Sequence, residues 1–220
     1  MFIQKKFLVE SLAKQIELIK LFPLGTVVSN GPNGLVANHI PFTLDEVSAS
    51  DQEDGVKFRL RAHFAKINEQ GPDLETAEEV MVIFQAPDSY VSPSYYKGTK
   101  PTTGKVVPTW DFSCVHVYGK PKVIDDADFI LRQMNDLTTT HESRVQSQWK
   151  VNDAPENYRN LLVKAVRGLE ITVTRTEGKW KLSQDKPQED IAGVIEGFKR
   201  QGEHYNADEV QKVVDNKNWK

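Results

Sequence analysis

The 220-residue chain has a single cysteine, Cys114, so an internal disulfide is impossible and a thiolate-type zinc site lacks its ligands. A chain of this length needs neither, because it can bury a sizeable core without a staple. Long apolar runs are missing as well. No stretch approaches the roughly 18 consecutive apolar residues of a membrane helix. The opening Met1-Phe2-Ile3-Gln4-Lys5-Lys6 carries charge, with no apolar run of signal-peptide length behind it. The expectation is a chain that stays off the membrane in a reducing compartment, most simply the cytoplasm.

An excess of positive charge is also absent. Lys and Arg total 28 against 31 Asp and Glu, a formal charge of -3. Proteins that grip nucleic acid draw much of their affinity from phosphate neutralisation, so this balance and the scattered basic residues argue against direct nucleic-acid binding. The glycine-rich segment Gly31-Pro32-Asn33-Gly34 fits neither phosphate-loop pattern and reads as a hairpin turn. No serine sits in a nucleophile elbow. The histidines His39, His63, His116, His141 and His204 follow no helical metal-ligand spacing. No catalytic residue is assigned and no metal is expected.

What is present is an ordinary globular composition, 39% hydrophobic and 27% charged, arranged as strands with helices between. Val9–Phe22 has helical periodicity behind a Ser11 N-cap and stops at Pro23 and Gly25. Gly25–Ser29 and Leu35–Phe42 flank the Asn30–Gly34 turn as a hairpin. Leu44–Gly55 reads as a loop, Val56–His63 as an alternating strand, Asn68–Glu79 as a polar connector, and Val80–Gln85 as a strand buried on both faces. Tyr90–Pro108 reads as a long loop, and loops of that length are often functional. A strand from Trp110 is broken by Gly119 and Pro121. Helices follow at Asp126–Thr140 and Asn157–Val166, then a hairpin of Leu169–Thr174 and Lys179–Leu182 about Glu177-Gly178. The tail from Gln188 to Lys220 is helical. With no βαβ alternation, the pattern predicts a mainly β protein with α (α+β), an antiparallel barrel decorated by helices.

Polar groups stand in several strands where apolar residues are the default. Asn38 and His39 sit before Pro41; Arg59, Arg61, His63 and Lys66 make an alternating basic row; Ser113 and His116 lie after Trp110. Residues two apart on a strand share a face, as a phosphate or polar ring edge would require. Solvent-facing strands also carry Arg and Lys for solubility, so the residues alone leave both readings open. Cys114 reads as a small buried hydrophobe, and His141-Glu142 as a solvated helix end or the edge of a site. The aromatic set Tyr90, Tyr95, Tyr96, Trp110 and Phe112 is either a core cluster under the long loop or a stacking wall for a flat ring.

The order of several short segments resembles the PaiB family of FMN-binding split-barrel proteins. The matching stretches are Gly25-Thr26-Val27-Val28, Asn38-His39-Ile40-Pro41, His63-Phe64-Ala65 with Asn68, and Tyr90-Val91-Ser92-Pro93-Ser94-Tyr95-Tyr96. They continue with Val107-Pro108-Thr109-Trp110-Asp111-Phe112, Val115-His116 with Gly119, His141-Glu142, and Lys179-Trp180-Lys181-Leu182-Ser183-Gln184. The resemblance departs at Tyr95, where the family has Trp, at Asp111, where it has Asn, and at Glu69-Gln70-Gly71, where it has Pro-Gln-Trp. Gly98–Lys105 is an insertion.

The resemblance implies an antiparallel split β-barrel of six strands over residues 1–190, with 191–220 a helical extension packed on the same domain. It implies a homodimer with a cofactor groove at the subunit interface and FMN as the cofactor. His39, Arg61, His63 and Lys66 would face the phosphate, Asn38 would join them in holding the cofactor, and the strand carrying Ser113, with Trp110 and His116, would line the ring. Trp180 and Lys181 would reach over from the partner subunit. Three functional classes follow: a flavin-binding negative transcriptional regulator acting indirectly, a flavin-dependent oxidoreductase with His116 or Tyr95 as general acid or base, and a haem-binding or haem-degrading protein using His63 or His116.

Overall fold

The computed structural model describes residues 1–32, 34–47 and 55–215. Asn33 of the expected turn, most of the Leu44–Gly55 loop and the end of the C-terminal tail lie outside the described residues. Among those described, nine strands occur: β1 (Leu8–Val9), β2 (Leu24–Gly31), β3 (Gly34–Pro41), β4 (Thr43–Glu46), β5 (Phe58–Ala65), β6 (Val80–Gln85), β7 (Ser89–Val91), β8 (Thr109–Ile124) and β9 (Val166–Lys181). The helices are α1 (Leu12–Leu21), α2 (Gly71–Thr76), α3 (Thr99–Thr103), α4 (Ala127–Arg144), α5 (Glu156–Ala165), α6 (Gln188–Gln201) and α7 (His204–Asp215). The sheet follows the order β3-β2-β6-β8-β9-β5-β4, with β1 added on β9 and β7 on β8. This is the antiparallel split-barrel architecture, and the strand path does not close into a full barrel. The three strands beyond the expected six reflect short edge pieces such as β1, β4 and β7.

Two compact units make up the chain. One comprises Ile19–Phe84 and His116–Thr176; the other comprises Met1–Leu18, Gln85–Val115 and Glu177–Lys220. In the first, β2 and β3 form the expected hairpin, with Val27 opposite Asn38 and Gly34 at a φ of +96°, a left-handed conformation glycine adopts without steric cost. Strand β5 pairs with β4 on one side and with β9 on the other, Arg61 opposite Thr43 and Glu170. Its alternation holds: Phe58, Leu60, Ala62 and Phe64 are buried while Arg59, Arg61 and His63 lie on the other face, less deeply covered. Burying side chains such as Phe58 and Leu60 contributes about 1.5–3 kcal/mol each, which fixes the register and aims the basic residues away from the core. Helix α4 starts at an Asp126 cap that accepts the Phe129 N–H at 2.6 Å, and it packs Phe129 and Ile130 against Val163 of α5.

In the other unit, Ser11 accepts the Lys14 N–H at 3.4 Å and caps α1 as its residue type predicts. Helices α6 and α7 bury Val194, Phe198 and Val210, with Gly202 in the left-handed conformation between them. The family-divergent Tyr95 is buried and meets the Phe198 ring edge-on at 6.3 Å. The inserted segment is anchored rather than loose: the Asp190 carboxylate accepts the Gly98 N–H at 2.8 Å, the Thr99 N–H at 3.0 Å and the Thr99 hydroxyl.

Several sequence expectations are corrected. Strand β8 runs through Gly119 and Pro121 to Ile124, and β9 runs through Glu177-Gly178 without turning. At each glycine the missing side chain admits a neighbour: a Cβ on Gly119 would lie 2.3 Å from the Thr172 carbonyl oxygen, and one on Gly178 2.8 Å from that of Val9. The start of the supposed Leu44–Gly55 loop is strand β4, and the polar connector holds α2. The long Tyr90–Pro108 loop contains part of β7, a 3-10 turn at Pro93–Tyr95 and α3.

Candidate functional site

In the first unit, the basic face of β5 is roofed by α4. Arg61 is largely buried and donates through both Nε and Nη2 to Asp45, and through Nη2 to Asp136 at 2.8 Å. The hydrogen bond to Asp45 and the nearby carboxylate charge hold the guanidinium pKa above its ordinary value, against the effect of burial. A phosphate approaching Arg61 therefore meets two carboxylates already in place. His63 Nδ1 lies 2.5 Å from Gln133 Oε1, and Gln133 is fully buried with its Nε2 unpartnered among the described residues. With the carbonyl oxygen facing the ring, Nδ1 is the donor of this bond.

Asn38 belongs to a second network. Its Nδ2 donates to Asn68 Oδ1 at 3.3 Å and Gln70 Oε1 at 3.1 Å. The fully buried Gln70 donates in turn to the Val27 carbonyl, Ser29 Oγ and the Val36 carbonyl. That amide stitches the β2–β3 hairpin to the segment after β5. His39 and Lys66 differ from these: both are exposed, and neither side chain has a described hydrogen-bond partner. His116 is half-buried and has partners of its own.

In the other unit, Lys181 donates to Thr109 Oγ1 at 2.7 Å and to the Trp110 carbonyl, and lies 3.5 Å from Asp111. Asp111 is fully buried and accepts the Ser183 hydroxyl at 2.6 Å. Burial pushes its carboxyl up to about 6, with Ser183 and Lys181 pulling the other way. Burial likewise lowers the Lys181 ammonium pKa, which Asp111 offsets. Ser183 holds a φ of +56°, a strained position its bond to Asp111 helps fix. The Tyr96 hydroxyl is buried without a partner among the described residues, and burial with nearby Asp111 raises it to about 12. Trp180 is buried, whereas Trp110 is exposed and meets Tyr90 edge-on at 5.8 Å. Ser113 Oγ is buried with no hydrogen-bond partner among the described residues.

The structure thus gathers Arg61 and His63 under α4, Asn38 around Gln70, and Lys181 with Asp111. Sequence reading missed Asp45, Gln70, Gln133 and Asp136. For Gln133 a signal existed: it falls on the apolar stripe of α4 with Phe129, Ile130, Met134 and Leu137, where a buried amide needs a partner.

Over residues 1–175 the chain matches the family described as "Putative FMN-binding domain". The chain belongs to the PaiB-type FMN-binding family. It is 38% identical over 227 residues to an uncharacterised protein of Aspergillus fumigatus, covering 84% of this chain and 86% of that one. It is 26% identical to the protease synthase and sporulation protein PAI 2 of Bacillus subtilis, covering 99% and 98%. Its fold resembles an FAD and haem binding protein of Mycobacterium smegmatis, with a TM-score of 0.54 at 17% identity over 84% of this chain and 78% of the other.

Set against what a PaiB-type cofactor requires, the residues fit in part. The exposed Lys66 and His39 suit an anion, and Ser113 Oγ, without a partner among the described residues, is an orphaned polar atom on the strand expected to line the ring. Arg61 does not suit an anion while Asp45 and Asp136 hold it.

Proposed function

We propose that the chain binds FMN and works as a homodimer in the cytoplasm. Any part in negative transcriptional control would then run through a ligand or partner rather than by contact with DNA. The observation that carries the reading is the family match across residues 1–175, which takes in nearly all of the first unit. Residues 1–190 form the cofactor domain in this reading, with 191–220 packed on it. The net charge of -3 supports indirect regulation. Bound FMN supplies redox chemistry at its ring; the chain supplies anchorage. Lys66 and His39 are the phosphate contacts, because exposed side chains with no described hydrogen bond can turn to an anion, whereas Arg61 is already shared by two carboxylates. Arg61, His63 and Asn38 then act as the frame around them.

Absorbance titration with FMN and with riboflavin, which lacks the phosphate, tests this. FMN should give a saturable change. Lys66→Ala should weaken FMN about tenfold or more while leaving riboflavin unchanged, since a charge-assisted hydrogen bond contributes about 1.5–3 kcal/mol. Absence of a saturable flavin change would overturn the cofactor reading; a Lys66→Ala variant with unaltered FMN affinity would overturn only the anchor.

Haem binding is the second reading, favoured by His63. Its Nδ1 is held by Gln133 at 2.5 Å, the kind of support that orients a metal-binding imidazole with Nε2 available. Haemin titration should then raise a Soret band that His63→Ala abolishes.

A further inference from the structure

A cavity of about 380 Å³ lies within the unit formed by residues 19–84 and 116–176, at the small end of the range for ligand sites of about 300–1,000 Å³. One face of α4 lines it through Asp136, Leu137, Thr140, His141 and Arg144, positions that recur on one side of a helix. Ile19, Phe42 and Leu44 complete apolar walls with Leu137.

The polar groups sort into two ends. At the first, Arg61 is shared by Asp45 and Asp136, so one guanidinium faces two carboxylates. Both oxygens of Asp45 are taken by Arg61, but only Oδ2 of Asp136 is, which leaves Asp136 Oδ1 as an acceptor. At the second, Arg144 Nη2 donates to the Lys20 carbonyl at 2.6 Å and Nη1 to that of Leu21 at 3.5 Å. Those bonds cap α1 and use part of the guanidinium; its described partners are neutral, so no described carboxylate cancels its charge. Lys20 also lines the cavity, in a solvent-screened 3.5 Å pairing with the exposed Glu46. Beside Arg144, His141 is half-buried with neither ring nitrogen bonded among the described residues. Asp136 and Arg144 are eight residues apart on α4, about 12 Å along the helix axis at 1.5 Å per residue.

We propose that this cavity binds a small elongated zwitterion, with its ammonium group at Asp136, its carboxylate at Arg144 and His141, and an apolar spacer along the walls. Opposite charges at the two ends select a ligand carrying both, and the helix sets the distance between them. Neither Lys66 nor His39 lines the cavity, although Arg61 borders both settings, and the proposal does not rest on flavin binding.

Calorimetric titration of the full chain with ω-amino acids, from 4-aminobutanoate through 8-aminooctanoate to longer homologues, tests the proposal, with octanoate and octylamine as single-charge controls. Affinity should peak near 8-aminooctanoate, about tenfold or more above either control. Asp136→Asn should reduce 8-aminooctanoate to the level of octanoate, and Arg144→Gln to that of octylamine. Leu44→Trp, which fills the cavity without touching either charge, should abolish binding at every length. An unchanged melting midpoint confirms folding in each variant. Absence of binding, absence of a length optimum, or parity between 8-aminooctanoate and the controls would overturn the proposal. So would displacement of the probe by FMN, since the cavity would then be the cofactor's own.

Discussion

At the scale of single residues, the buried polar side chains carry the largest stakes. Asp111 is fully buried, and its carboxyl is raised from 3.8 to about 6. The folded state therefore holds that proton more tightly than the unfolded chain. The contribution is fully present below about pH 4 and is lost as pH rises through 6. Asp111→Asn removes the cost of ionising the group while an amide still serves Ser183. At pH 7.5 the variant should be more stable by up to roughly 3 kcal/mol, from about two pKa units at 1.36 kcal/mol each, and the gain should vanish near pH 4. Urea unfolding at the two pH values measures both. Gln70 carries the opposite risk. Its amide serves two carbonyls, a hydroxyl and Asn38 from a fully buried position, so Gln70→Ala leaves several groups unsatisfied at once. A loss of about 2–4 kcal/mol is expected in the same assay.

At the scale of elements, the close passage of β8 past β9 rests on Gly119. A methyl group there would stand 2.3 Å from the Thr172 carbonyl oxygen and 2.9 Å from Ile171 Cγ2. Gly119→Ala should cost roughly 2–3 kcal/mol and lower the melting midpoint, because backbone on both sides must shift. The same glycine shows where sequence reading stops. The alternation of β5, the periodicity of α1 and α4 and the β2–β3 hairpin depend on near neighbours, and all were legible. Gly119 and Gly178 looked like breaks because glycine serves turns and close packing alike, and the neighbours that decide, Thr172 and Val9, are remote in sequence. The candidate site divides in the same way. The row of Arg61 and His63 could be read from its period of two. Their ties to Asp136 and Gln133 could not, since those lie 75 and 70 residues away.

At the scale of the whole molecule, the proposed dimer makes a prediction of its own. A flat cofactor in an edge groove is well covered only when a second chain closes it. Sedimentation should therefore report twice the 25.0 kDa chain mass, with one FMN bound per chain. Dilution that splits the dimer should release the flavin in step. A monomer that retains full FMN affinity would separate the cofactor from the dimer and leave the flavin reading standing alone.

The interleaved units also bear on how the protein is born. One is complete once residue 176 has been made; the other needs Met1–Leu18 and Glu177–Lys220 together. Strand β1 finds its partner at Leu8 opposite Lys179, and the Met1 amine finds Glu177 at 2.6 Å. Synthesis at about 5–20 residues per second leaves that first strand waiting roughly 10–35 s for its mate. Residues 1–18 are thus folded in only long after they are made, and through that interval Phe7 and Val9 are apolar surface for a chaperone to cover.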